Sequence, residues 1–211
     1  AVAASTTASS SDDDSSRTSS RPVRLDVHAR DVEDNVVRMV RALGLESAPE
    51  GRALVLAARW HDLGKDRVVW QRSIWNGDYP NTVLAKSGHR RPPRDLTASR
   101  HEFGSLLDVL SPRMARDWGN VSDDERDLVL HFIAAHHGRA RPHFAPDEAS
   151  DNAHPRARAA AVSREIPRRF ARLQQRYGRW GLAYLESILR AADAAASINP
   201  SETVIEAARE P

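Results

Sequence analysis

The sequence predicts an all-α fold, and three observations carry that expectation. Apolar residues recur three and four positions apart, as on one face of a helix, in several segments between Leu25 and Ser197. Glycine, proline and a Ser/Glu capping pair punctuate those segments where helices start and stop. No stretch alternates apolar and polar residues over strand length, and β-branched residues are sparse outside the helical patterns. At 211 residues, with 40% hydrophobic and 28% charged side chains, the chain is long enough for one substantial core. No apolar run approaches the roughly 20 residues that span a bilayer, so no membrane role is expected.

Taken in order, residues 1–22 offer almost nothing to bury and read as a disordered Ser/Asp-rich linker. They lack the basic start and apolar segment of a secretory signal. An upstream unit and a trimmed start both fit such a beginning. An ordered domain is expected over 23–200, and a tail over 201–211. Val32, Val36, Val40 and Leu43 mark a first helix stopped by Gly44, with His28 one turn before Val32 on the inward stripe. A second helix, from about Pro49 to His61, brings Leu54, Ala57, Ala58 and His61 to one face before "DLGK" ends it. "DRVVWQRSIW" is a short helical piece, and the Gly- and Pro-containing stretch from Asn76 to Ser99 reads as a long loop.

Helical character resumes at "RHEFGSLLDVL", where His101 and Ser105 share a face. Ser122 and Glu125 form a capping box, after which Leu128, Phe132 and His136 follow every fourth residue up to His137 and Gly138. Two more helices are expected, at about 156–177 with an interruption at Pro167, and at about 180–197. The last carries Leu182, Leu185, Leu189 and Asp193 on one stripe. No internal repeat is evident.

The formal charge of +2 is unevenly spread, with eight arginines between Arg156 and Arg179 against the single acid Glu165. That bias has two readings: a polyanion partner, or a solvated helix face, the commoner case. With no cysteine, disulfides and thiolate ligands are excluded, which fits a reducing cytoplasm and leaves histidine and carboxylate to hold any metal.

Each expected helix brings an ionisable group of the same few types to its apolar face: His28, His61 with Asp62, His101, His136 with His137, and Asp193. A lone inward histidine is more often a hydrogen-bonded core residue than a ligand. Several in one small domain would each cost about 1 to 3 kcal/mol if left unpaired, and a shared cation would satisfy them together. Consecutive side chains on a helix point about 100° apart, so a histidine and its neighbouring aspartate diverge, and the aspartate can lie between two ions. Two ions about 3.5 to 4 Å apart serve phosphoryl chemistry. An imidazole-rich set favours manganese, iron, cobalt or nickel over magnesium.

In the order His28, His61-Asp62, His101, His136-His137, Asp193, these residues resemble the HD superfamily of metal phosphohydrolases. "HDLGK", "AHHGR" and "ADAAAS" are more closely similar to the HD nuclease domain of the CRISPR-associated type I helicase-nuclease, over roughly Leu25 to Ser197. The resemblance implies a helical bundle with a metal site at its centre. It also implies one ion on His28, His61 and Asp193, a second on His101, His136 and His137, and Asp62 bridging them. Asp62 and Lys65 would be catalytic, Lys65 facing the scissile phosphate, and Ser197 would hold a phosphate or a water. Lys65 also fits a helix-end lysine countering the macrodipole, and Ser197 a plain polar helix end. The implied partners are single-stranded DNA, a helicase domain in cis or trans and an RNA-guided effector complex in antiviral defence.

His131 lies off the His136 face, and His89, His143 and His154 fall in loops and are expected to be exposed. Trp60, Trp70 and Trp75 suit core packing, while Glu102 and Asp108 have no assigned role. Basic residues from Lys86 to Arg100, with Arg139 and Arg141, flank the expected ligands and are placed to line a DNA groove. Three functions therefore stand: a nuclease, a nucleotide or cyclic-nucleotide phosphohydrolase on the same scaffold, and a nucleic-acid-binding module. Buried histidines argue against the last. No ATP-binding "GxxxxGK[ST]" pattern occurs in the chain.

Overall fold

The structure, a computed structural model, describes residues 21–88 and 100–204. The linker up to residue 20, the tail from 205, and the part of the basic loop at 89–99 that contains His89 lie outside the described residues.

The chain enters through a short strand, β1 (Pro22–Arg24), which runs directly into helix α1 (Leu25–Ala42). β1 pairs antiparallel with β2 (Leu84–Ser87), matching Pro22 to Ser87, Val23 to Lys86 and, past a bulge, Arg24 to Leu84. The described residues are mostly helical, consistent with the all-α expectation, and add one small two-stranded sheet that the sequence reading does not include. Its strands escape a periodicity search for a physical reason. β1 is three residues long, and every residue of β2 is buried, so neither alternates. The sheet also shortens the expected loop after Asn76, because Lys86 belongs to β2.

Helix α1 buries Val27, His28, Val32, Val36 and Val40, as its stripe requires, and Gly44 takes the positive φ of +68° that ends it. Helix α2 (Pro49–Trp60) starts with proline in its first turn and ends at His61. A 3₁₀ turn (Leu63–Lys65) and α3 (Val68–Ser73) follow. Helix α4 (His101–Val109) is buried almost all round, and α5 (Asp123–Ala135) starts at the expected capping box, with Ser122 and Glu125 satisfying each other's backbone N–H. The two last helices, written together as α6 (Arg156–Ile198), meet at Gly178, whose φ of 67° is left-handed, within the boundary expected between 177 and 180. The first of them continues through Pro167, where the sequence predicts an interruption.

Helices α1, α2, α5 and α6 wrap one core in which Leu54, Phe103, Leu128, Phe132, Leu182 and Leu189 are essentially solvent-free. Each such side chain contributes roughly 1.5–3 kcal/mol of burial free energy. Trp60 stacks edge-on with Trp118 at 5.0 Å, and Trp70 is buried, while Trp75 is only half-buried. The arginine surplus of α6 has partners that its own sequence does not display. Arg172 donates to Asp127 and Glu165, Arg169 to Asp127 and Arg176 to Asp124. Three of the eight arginines therefore hold α6 against α5. Among the described residues, no helix is long and apolar enough to cross a membrane.

Candidate metal centre

The centre is assembled where α2 stops. His61 keeps helical dihedrals, and Asp62 leaves them with φ −107° and ψ 5°, so the two side chains diverge. The next turn is pressed against α4. A Cβ on Gly64 would lie 2.0 Å from the His101 carbonyl oxygen, so only glycine admits this approach. The Ser105 hydroxyl fastens it, accepting from the Gly64 N–H at 2.8 Å and lying 2.7 Å from the His61 carbonyl. The glycine that reads as a helix stop is thus also a packing contact, which sets His61 and Asp62 against His101.

Asp62 is 2% exposed and faces both ways. Its Oδ2 lies 3.5 Å from His28 Nε2 and 3.3 Å from His61 Nε2. Its Oδ1 lies 3.3 Å from His101 Nε2 and 3.7 Å from His136 Nε2. Asp193, on α6, approaches His28 Nε2 at 3.0 Å, and Asn35 ties α1 to α6 beside it through the Ala192 carbonyl. His137 packs at a tilt against His136, with ring centroids 4.1 Å apart. Two groups of potential ligand atoms result, one of His28, His61 and Asp62, the other of Asp62, His101, His136 and His137. Within each, the atoms lie within 4.8 Å of one another, and Asp62 belongs to both.

The donor set fits divalent cations. His61 Nδ1 lies 2.8 Å from the Ala58 carbonyl and His136 Nδ1 2.7 Å from that of Ile133. A carbonyl only accepts, so Nδ1 carries the proton and the Nε2 lone pair turns inward, the tautomer a metal ligand needs. Burial pushes the pKa values of His28, His101 and His137 down, keeping those rings neutral. Burial opposes ionisation of Asp62, but His61 and Lys65 outweigh it and hold this carboxyl well below the usual range. Asp193 is held low as well, its burial overcome by His28 and Lys86. The Nε2 atoms of His28, His61 and His137 and both Asp62 oxygens are buried without a well-aligned hydrogen bond. Groups left in that condition cost about 1 to 3 kcal/mol each, which a bound cation would offset.

The other expected site residues are placed differently. Lys65 is buried beneath the centre, its Nζ 2.6 Å from Asp62 Oδ2 and 5.2 Å from the Trp70 ring centroid. Ser197 touches the centre only through Asp193, donating to Oδ1 at 3.3 Å. Arg141 is bound by Glu186 at 2.7 Å, and Arg139 lies 3.8 Å from Glu148, so both meet carboxylates rather than the ligand cluster. His143 is exposed as expected, but His154 is half-buried against Asp108 at 2.9 Å. Asp108 also accepts from Arg67 at 2.8 Å, giving it a structural role.

Two charged residues differ from the sequence reading: Glu102, which has no role there, and Lys86, which is expected there to line a groove. Glu102 is solvent-free, with Oε2 3.5 Å from His101 Nδ1, and an acid inside the apolar "HEFGSLL" helix is the signal that marks it. Lys86 is buried on β2, where no periodicity could announce it. Comparison with protein-family models, with curated proteins and with solved structures finds no match to this chain.

Proposed function

We propose that the centre holds two divalent transition-metal ions and hydrolyses the phosphodiester bonds of single-stranded DNA, in the manner of an HD nuclease domain. The observation that carries this reading is Asp62, whose two oxygens face separate histidine groups at 3.3 to 3.7 Å. His28, His61 and Asp193 would hold one ion, and His101, His136 and His137 the other, with Asp62 shared. When bound, such a pair supplies Lewis acidity toward a phosphoryl centre and an activated water as nucleophile. Manganese, iron, cobalt or nickel suits the imidazole-rich set better than magnesium.

The chain's own residues do the positioning. The Ala58 and Ile133 carbonyls hold the His61 and His136 rings with Nε2 inward. Ser105 fixes the turn that carries Asp62. Lys65 provides a positive charge in a low-dielectric setting, where it stabilises negative charge developing on phosphoryl oxygens. Specificity would come from access to the centre, with a helicase delivering the strand displaced by an RNA-guided complex.

One observation favours a smaller substrate: the pairing of Arg139 and Arg141 with Glu148 and Glu186 removes cations from the expected DNA groove. A nucleotide or cyclic-nucleotide phosphohydrolase is the second reading. Purified protein supplied with manganese, nickel or cobalt, circular single-stranded DNA and a nucleotide panel separates the two. Circle cleavage that disappears in Asp62→Ala is the expected result. Nucleotide hydrolysis with intact circles would select the second reading, and no hydrolysis of either would reject both.

A further inference from the structure

Glu102 is solvent-free in the first turn of α4, and both of its oxygens are buried without an aligned hydrogen-bond partner. Its Oε2 lies 3.5 Å from Nδ1 of His101. Consecutive side chains on a helix diverge by about 100°, so a carboxylate beside its neighbour's ring is not a helical default. An acid in a first turn complements the helix dipole, but an exposed position serves that end without stripping the carboxyl of water. The place of Glu102 against His101 supplies a better reason. His61 and His136 turn Nδ1 to the carbonyls of Ala58 and Ile133, whereas His101 turns Nδ1 to a carboxylate.

The two ion positions are unequally supplied with negative charge. The first has Asp193 beside His28, in addition to its share of Asp62. The second has only the imidazoles of His101, His136 and His137 beyond that share. An imidazole that ligates through Nε2 keeps its proton on Nδ1, and that N–H needs an acceptor. A carboxylate in that place raises the basicity of the ligating nitrogen and sets a negative charge one ring away from the ion. Closing 3.5 Å to an ordinary hydrogen bond takes a movement of roughly half an ångström. We propose that Glu102 is a positioning residue that accepts the His101 Nδ1–H, aims Nε2 at the second ion and makes up that ion's shortfall of negative charge. This inference rests on the two-ion reading and deepens it, assigning part of the second ion's affinity to a residue outside the ligand set.

The test compares wild type, Glu102→Gln and Glu102→Asp. Manganese is titrated with the free ion followed by electron paramagnetic resonance, and NMR spectra of isotope-labelled histidine are recorded on zinc-loaded protein. Wild type should take up two ions and show a hydrogen-bonded His101 Nδ1–H. Glu102→Gln keeps the volume and loses the charge, so its first ion should bind as in wild type and its second roughly ten- to a hundredfold more weakly. The His101 Nδ1–H signal should move in that variant, with those of His61 and His136 unmoved. Glu102→Asp restores the charge at shorter reach and should fall between. A second-ion affinity equal to wild type in every folded variant overturns the proposal. So does a wild-type spectrum without a hydrogen-bonded His101 Nδ1–H, an outcome that needs no variant to fold. Equal weakening of both ions overturns it as well, marking Glu102 as a packing residue. Fewer than two ions in wild type would sink the two-ion reading and this inference with it. Failure of the hydrolase reading is distinguishable, as a wild type that holds both ions, responds to Glu102→Gln as expected and cleaves neither DNA nor nucleotides.

Discussion

Helix α5 contributes histidines to two buried polar clusters, and the two are built on opposite terms. Near its middle, His131 Nε2 lies 2.7 Å from Glu186 Oε1, and Glu186 Oε2 accepts from Arg141 at 2.7 Å. Both Glu186 oxygens have partners. At its end, His136 and His137 join a cluster in which Asp62 and the Nε2 atoms of His28, His61 and His137 lack aligned partners. Residue types and burial are alike, so neither identifies a ligand. What separates the clusters is how far pairing goes: in one each carboxylate oxygen has its donor, while in the other Lys65 approaches Asp62 Oδ2 but the inward Nε2 atoms of His28, His61 and His137 have no aligned partner. A closed network stabilises the fold, whereas convergent acceptors call for a cation.

Removing the carboxylate from each cluster should break the comparison in opposite directions. Asp62→Ala should lose metal affinity by more than the roughly 10- to 100-fold expected for an outer-shell partner, with the fold retained, as read by metal titration and melting. Glu186→Ala should leave metal content unchanged while destabilising the protein by about 3 kcal/mol, because His131 and Arg141 lose their shared acceptor. Denaturant unfolding with a parallel metal assay checks both outcomes. Metal loss in Glu186→Ala at full stability would erase the distinction.

A smaller effect tests how the centre is positioned. Ser105→Ala removes the acceptor of the Gly64 N–H and should cost about 1 to 2 kcal/mol, with weaker metal binding as the Asp62 turn loosens. Gly64→Ala should be worse than Ser105→Ala, since its Cβ meets backbone that cannot yield cheaply. Equal unfolding midpoints for the two variants would show that the close approach is not what fixes the turn.

Acidification should act on the metal cluster through the imidazoles. Burial lowers the His61 pKa, but Asp62 outweighs it and draws the value up. A proton and a cation compete for the same Nε2 lone pair, so affinity should begin to fall above the ordinary histidine pKa as pH drops. Asp62 and Asp193 stay ionised through that range and do not contribute to the loss. Metal titrations between about pH 8 and pH 5 check the sign. The smallest effect belongs to the surface: Arg172→Ala should cost about 0.5 kcal/mol, because its side chain is half exposed despite two acidic partners.

The helices and most of the proposed ligands are legible in the sequence because both obey local rules. Val32, Val36 and Val40 repeat with the helical period, Ser122 and Glu125 close their own capping box, and His28, His61 and Asp193 fall on the stripes they share with core residues. The rest depends on contacts between distant segments. β1 and β2 exist only as a pair, so neither carries a pattern of its own. Lys86 reads as a loop cation until that pairing buries it. The arginines of α6 read as free charge until Asp124 and Asp127 arrive from α5. The boundary expected between 177 and 180 falls at Gly178, where a left-handed φ costs no steric strain, but the interruption expected at Pro167 does not occur.

The central claim is that Asp62 joins two ions, and manganese binding followed by electron paramagnetic resonance tests it most directly. Wild-type protein should take up two ions per chain with the spectrum of a spin-coupled pair, and Asp62→Ala should lose that coupling. One isolated ion per chain, or an identical coupled spectrum in Asp62→Ala, would contradict the account.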